Sequence, residues 1–130
     1  MASIFTKIIK GELPSFKIFE NDLVLAFLNI RPVKPGHTLV VPKVEVDYFV
    51  DVPEPYYSEV FQIAKKISPA IQKASGAKRI ATTAIGLEVP HFHYHLVPID
   101  KIADLDFSLA KDTLQDELAE MQAKILKALV

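Results

Sequence analysis

Apolar and polar positions follow two periods along the chain, and the switches between them divide it into elements. Ile4, Phe5, Ile8 and Ile9 recur at helical spacing, Ser3 stands at a capping position, and Gly11-Glu12-Leu13-Pro14 breaks the run. This predicts a short helix over 3–10. Residues 16–20 and 23–28 read as strands around Asn21-Asp22, two residues that tolerate positive φ, so a two-residue hairpin turn is expected. Turn-rich residues 29–36 lead to His37-Thr38-Leu39-Val40-Val41-Pro42, a strand with proline at its end.

After a connection over 43–53, Asp51 and Glu54 have capping-box spacing. Tyr57, Val60, Phe61, Ala64, Ile67, Ser68 and Ile71 then make one face of a long helix reaching about Ala74. Lys65, Lys66 and Lys73 lie off that face as solvated charge. Pro69 lacks a donor and crowds the carbonyl four residues back, so a kink or break near 65–68 is predicted. Gly76 ends the helix. Residues 79–85 are rich in β-branched side chains and read as a strand, and 86–90 turn into an antiparallel partner. Residues 99–111 are irregular. Asp112 and Gln115 repeat the capping-box spacing, and Leu114, Leu118, Met121, Ile125 and Leu129 form the apolar stripe of a last helix. Its acids come early and its lysines late, as the helix dipole favours.

The composition adds limits. The 130 residues are 50% hydrophobic, enough for one domain with a real core over 1–130. The net charge of −1 provides no basic field for nucleic acid. There is no cysteine, so disulfides and thiolate metal sites are excluded. No apolar run spans a bilayer, and Met1 to Lys7 lack a secretory layout, so no membrane partner is expected and a cytoplasmic location is.

The chemistry concentrates in Pro90-His91-Phe92-His93-Tyr94-His95-Leu96-Val97-Pro98, which holds three of the four histidines. A spacing of two puts the three imidazoles on one strand face, about 6.5–7 Å apart at the backbone, and Phe92, Tyr94 and Leu96 on the other. Imidazoles in a row suit proton transfer, nucleophilic attack or metal ligation. Packing alone is a costly reason for three of them. A divalent metal, with His37 as a further ligand, and catalysis on phosphate both remain open on the residues alone.

His91-x-His93-x-His95-x-x with apolar residues at every x is the signature of the histidine triad (HIT) family. Ile4-Phe5, Phe27-Leu28-Asn29-Ile30 and Gly36 to Lys43 also resemble that family, in particular its Hint-like branch, so that the similarity spans residues 3–100. The resemblance implies an α+β fold. It has an antiparallel five-stranded sheet, one long helix and a short N-terminal helix; the C-terminal helical extension over 104–130, read from the apolar stripe, is added to it and lies outside the resemblance. It implies a nucleotide hydrolase or transferase acting at the α-phosphate of purine nucleotide conjugates. His93 would be the nucleophile, His95 the donor to a phosphoryl oxygen, and His91 and His37 the groups that fix tautomers. Ile4, Phe5, Ile8, Phe27, Leu28, Asn29 and Ile30 would form the nucleoside pocket, with Gly86 and the amides of Glu88 and Val89 towards the phosphate. No metal or other cofactor is implied. The implied substrate is a nucleoside phosphoramidate such as adenosine 5′-phosphoramidate or an AMP-lysine bond. Dinucleoside polyphosphate hydrolysis and a non-catalytic nucleotide- or metal-binding module are the other readings. A homodimer with joined sheets is expected. The chain departs from the family pattern in three places: Asn29 replaces an Asp that contacts ribose, Leu87 replaces a Gln, and Ile80 to Thr82 occupy an Asn-x-Gly element.

Overall fold

The computed structural model describes residues 2–130. Five antiparallel strands form one sheet: β1 (Lys17–Glu20), β2 (Val24–Leu28), β3 (Thr38–Pro42), β4 (Arg79–Thr83) and β5 (Tyr94–Ile99), in the order β1-β2-β3-β5-β4. Helices α1 (Ile4–Ile9), α2 (Tyr56–Ser75) and α3 (Gln115–Leu129) accompany it, with 3-10 turns at Phe49–Asp51, Ile102–Asp104 and Phe107–Leu109. The α+β architecture expected from the sequence is the one observed. Among the described residues no helix is long and apolar enough to cross a membrane.

The sheet is covered on both faces, which explains why β2 and β3 are buried at every position. Strand alternation sends Val24, Ala26, Leu28 and Val40 to one face, where they pack with Val60, Ile63, Ile67 and Ile71 of α2 and Leu118 and Ile125 of α3. Leu25, Phe27, Leu39 and Val41 go to the other face and pack with Phe5 and Ile8 of α1. The pairs Leu25↔Val41 and Phe27↔Leu39 hold this second face in register. It is the face that carries the histidines.

Several local expectations are corrected. The β1–β2 connection is no positive-φ hairpin, since among the described residues none other than glycine has positive φ. Instead Asn21 Oδ1 accepts the amides of Leu23 and Val24, an Asx turn that lengthens the loop by one residue. Neither predicted capping box forms. Asp51 closes a 3-10 turn, and Glu54 accepts the Ser58 amide directly at 2.8 Å, because the helix begins only at Tyr56. At α3 the N-cap is Leu114, which is 70% exposed and so falls outside the apolar stripe. Helix α2 is not broken at Pro69. Pro69, Lys65 and Lys66 all lie on its exposed side, where water can satisfy the carbonyl that loses its donor. Gly76, at φ 72°, ends the helix as expected.

Candidate active site

The triad strand starts later than its alternation predicts, at Tyr94, so only His95 lies within β5. His91 and His93 precede it in a segment fixed by the Phe92 amide donating to the Val46 carbonyl at 2.7 Å. The alternation still holds. Phe92 and Leu96 join the core against α2, with Tyr94 at its margin. His95 pairs with Leu39 across β3 and shares its face. The His93 and His95 rings are 4.9 Å apart, and the Phe5 ring meets His93 edge-on at 4.9 Å and His91 at 5.9 Å.

Hydrogen bonds define the proton positions of all four imidazoles. A carbonyl only accepts, so His91 Nε2–H donates to Pro42 O at 2.8 Å and His93 Nδ1–H donates to His91 O at 2.7 Å. His91 Nδ1 is then an acceptor, and the Ser3 hydroxyl donates to it at 2.9 Å. His93 Nε2 is left with a lone pair. The Val33 amide donates to His37 Nδ1 at 3.0 Å, so the proton of His37 lies on Nε2 and is given to His95 Nδ1 at 2.9 Å. His95 therefore presents Nε2–H. A ring nitrogen with a free lone pair and a ring N–H donor thus stand side by side.

Burial lowers the pKa of every one of these rings, because it penalises the imidazolium. His37 and His91 are fully buried, and His93 and His95 nearly so. His37 is lowered to about 4, by burial first and the neighbouring His93 second. His95 is lowered to about 3, by burial and then by His37 and His93. His91 and His93 are also lowered by burial, against the opposing pull of backbone carbonyls and of nearby carboxylates: Glu45 for His91, Glu88 and Asp47 for His93. At neutral pH all four are uncharged, as an imidazole nucleophile requires.

Two hollows flank His93. One, of about 320 Å³, is lined by Asp47, Tyr48, Phe49, Ile85 and Leu87; the other, of about 200 Å³, by Gly86, Glu88, His95 and Phe107. A third hollow, of about 680 Å³, lies elsewhere, between the β2–β3 connection and the segment around α3. It touches Asn29 and His37 but none of His91, His93 and His95, so its size does not mark the chemistry.

The structure brings together only part of the expected pocket. Phe5, Ile8 and Phe27 pack in one cluster beside His93, with Val89 at its edge. Leu28 does not join them: its position in the pleat sends it to the α2 face. Ile4 and Ile30 are 48% and 58% exposed and belong to no buried cluster. Asn29 Oδ1 accepts the Arg31 amide at 2.9 Å, the bond of a turn residue, which leaves its NH₂ group as the donor it presents. Gly86, with φ 82°, lines both hollows, and Glu88 lines one. Among the described residues no group of three or more His, Asp or Glu side chains is arranged to hold a metal ion.

Sequence reasoning missed the partners of the triad. Phe107 places its ring 4.9 Å from His95 and 6.1 Å from His37. Glu45 and Thr6 join Ser3 around His91. None of these residues carries a local signature, since each meets the triad only through the tertiary fold.

Comparison with known proteins identifies the family. Residues 10–102 match the HIT domain family model. The adenosine 5′-monophosphoramidase HNT1 of Saccharomyces cerevisiae is 34% identical over 98% of this chain and 83% of its own length. The adenylylsulfatase HINT3 of Arabidopsis thaliana is 32% identical over 73% of this chain and 51% of its own. Among solved structures, a Hit-like protein from Bartonella henselae superposes with a TM-score of 0.86 at 32% identity, covering 97% of this chain and 95% of that one. On both the triad geometry and these similarities, the chain belongs to the histidine triad, or HIT, family.

Proposed function

We propose that the protein hydrolyses nucleoside 5′-phosphoramidates through a nucleotidyl-His93 intermediate. The observation that carries this is the bond from His93 Nδ1–H to the His91 carbonyl, which leaves Nε2 as a neutral nucleophile. Its relatives named as an adenosine 5′-monophosphoramidase and an adenylylsulfatase both act on adenosine 5′-phosphate conjugates, which supports the α-phosphorus as the point of attack.

His93 Nε2 forms a bond to the α-phosphorus as the P–N bond to the amine breaks, and the amine leaves with a proton from water in the open hollow. Water then attacks the same phosphorus, the P–His93 bond breaks, and the nucleoside monophosphate departs as a proton returns to solvent. His95 Nε2–H donates to a non-bridging phosphoryl oxygen where charge develops. His37 holds His95 in the donor tautomer, and His91 sets the carbonyl that holds His93. Phe5, Ile8 and Phe27 form the wall against the purine ring, Asn29 meets the ribose, and the amides of Glu88 and Val89 face the phosphate. The protein works as a homodimer in the cytoplasm; β4 ends the sheet and offers the edge along which two sheets join.

Steady-state hydrolysis of adenosine 5′-phosphoramidate, beside a diadenosine polyphosphate, tests the reading. Faster turnover of the phosphoramidate supports it. A preference for the polyphosphate moves the assignment to dinucleoside polyphosphate hydrolysis. Binding of AMP with no turnover of either would make the protein a nucleotide-binding module. Light scattering at micromolar concentration checks the dimer, and a monomer mass would contradict it.

A further inference from the structure

We propose that Glu45 is a positioning residue, which locks the first histidine of the triad and helix α1 to each other through two hydroxyl side chains. This rests on the catalytic reading of His93 given above. A single carboxylate oxygen of Glu45, Oε1, accepts both the backbone amide of Ser3 and the Thr6 hydroxyl, the latter at 2.6 Å. Ser3 Oγ in turn accepts the Thr6 amide at 3.1 Å as the N-cap of α1. The Ser3 hydroxyl has one proton to give. It lies 2.9 Å from His91 Nδ1 and 3.3 Å from Thr6 Oγ1, and the Thr6 proton is already committed to Glu45. The Ser3 proton therefore goes to His91, whose other nitrogen donates to Pro42. Every donor and acceptor in the chain of contacts has one consistent assignment.

The consequences reach both halves of the site. The His91 carbonyl holds the Nδ1 proton of His93, so a tilted His91 misaims the nucleophile. Phe5 lies between Ser3 and Thr6, and its ring contacts His93 and Phe27, so the same bracket sets the wall beside the nucleophile. Helix α1 has only six residues and cannot hold its place by its own hydrogen bonds. A carboxylate from the segment after β3 supplies the anchor, 39 residues from Thr6 and 42 from Ser3. Because one oxygen takes both bonds, a side-chain amide oxygen can do the same work. The function of Glu45 is thus hydrogen-bond acceptance, with its charge secondary.

The test compares Glu45→Ala with Glu45→Gln in the full chain, by kcat and KM on adenosine 5′-phosphoramidate and by the proton resonance of His93 Nδ1–H. In Glu45→Ala the expected results are a kcat lower by about tenfold or more, since misplacement of reacting groups costs rate steeply, and a broadened or lost resonance. Glu45→Gln should restore most of the kcat and keep the resonance, which a merely stabilising role for the charge would not produce. Folded Glu45→Ala with kcat within about twofold of the wild type and an unchanged resonance overturns the proposal. So does Glu45→Gln as impaired as Glu45→Ala. The resonance is independent of turnover: a wild type that hydrolyses nothing, but whose His93 proton responds to Glu45→Ala, retires the proposed reaction and leaves the positioning role standing.

Discussion

The two walls of the site are built on different physics. On one side Phe5, Ile8 and Phe27 are buried against the sheet, with 7%, 9% and 4% of their surface exposed. On the other, Ile85 and Leu87 stand in the loop before the triad with 52% and 89% exposed. The first wall is part of the core, so its shape is fixed by the same burial that stabilises the fold. The second is largely exposed, so its side chains can change at little cost to the fold. Under the proposed reaction, the fixed part of the substrate would meet the first wall and the variable leaving group the second. The triad lies at the seam, and its protons are assigned by backbone and buried side chains on the fixed side.

The comparison can be broken at several points. The largest effect is expected at the seam itself. His93→Ala should lower turnover by at least about 10³-fold, as loss of a nucleophile does, with an unchanged fold by circular dichroism. Turnover at the wild-type rate would remove His93 from the mechanism.

His37→Ala comes next. It frees His95 Nδ1, lets the ring take the wrong tautomer, and should lower kcat by about 10²-fold. The same variant should alter the acid limb of stability. His37 and His95 are held at about 4 and about 3, below the ordinary 6.5, so the unfolded chain binds more protons between those values. Stability then falls as pH drops from about 6.5 towards about 3, and is fully present above that window. Thermal unfolding at stepped pH should show a shallower fall for His37→Ala than for the wild type. An equal slope would mean that these imidazoles are not the groups that resist protonation.

Phe5→Ala tests the packed wall. It should cost about 3 kcal/mol of stability, the usual loss for a buried aromatic, and raise KM at the same time. A change in KM with full stability would show the wall to be a mere pocket lining. Leu87→Gln tests the open wall and should be the mildest. Its stability should stay within about 0.5 kcal/mol of the wild type, while kcat shifts for one leaving group relative to another. A large loss of stability would contradict the freedom argued for this loop.

How much of this the chain announces depends on the range of the interaction. The face of α2, the positions of the strands along the chain and the alternation around His93 follow from local periods, and the structure agrees with them. Leu28 was legible as a strand residue but its face was not, because a single step in the pleat reverses it. The capping boxes at Asp51 and Asp112 had the right spacing, but α2 and α3 begin at Tyr56 and Gln115, too far along for either side chain to cap. The turn at Asn21 was expected, its Asx geometry was not. Glu45 and Phe107 were invisible for a plainer reason. Each acts on a histidine more than ten residues away, and no periodicity encodes such a pair.

The most direct measurement is intact-protein mass spectrometry after brief incubation with adenosine 5′-phosphoramidate and an acid quench. The account predicts an AMP-sized addition that maps to His93, appears before steady-state AMP release, and is absent in His93→Ala. AMP released at the wild-type rate with the addition on another residue would contradict it.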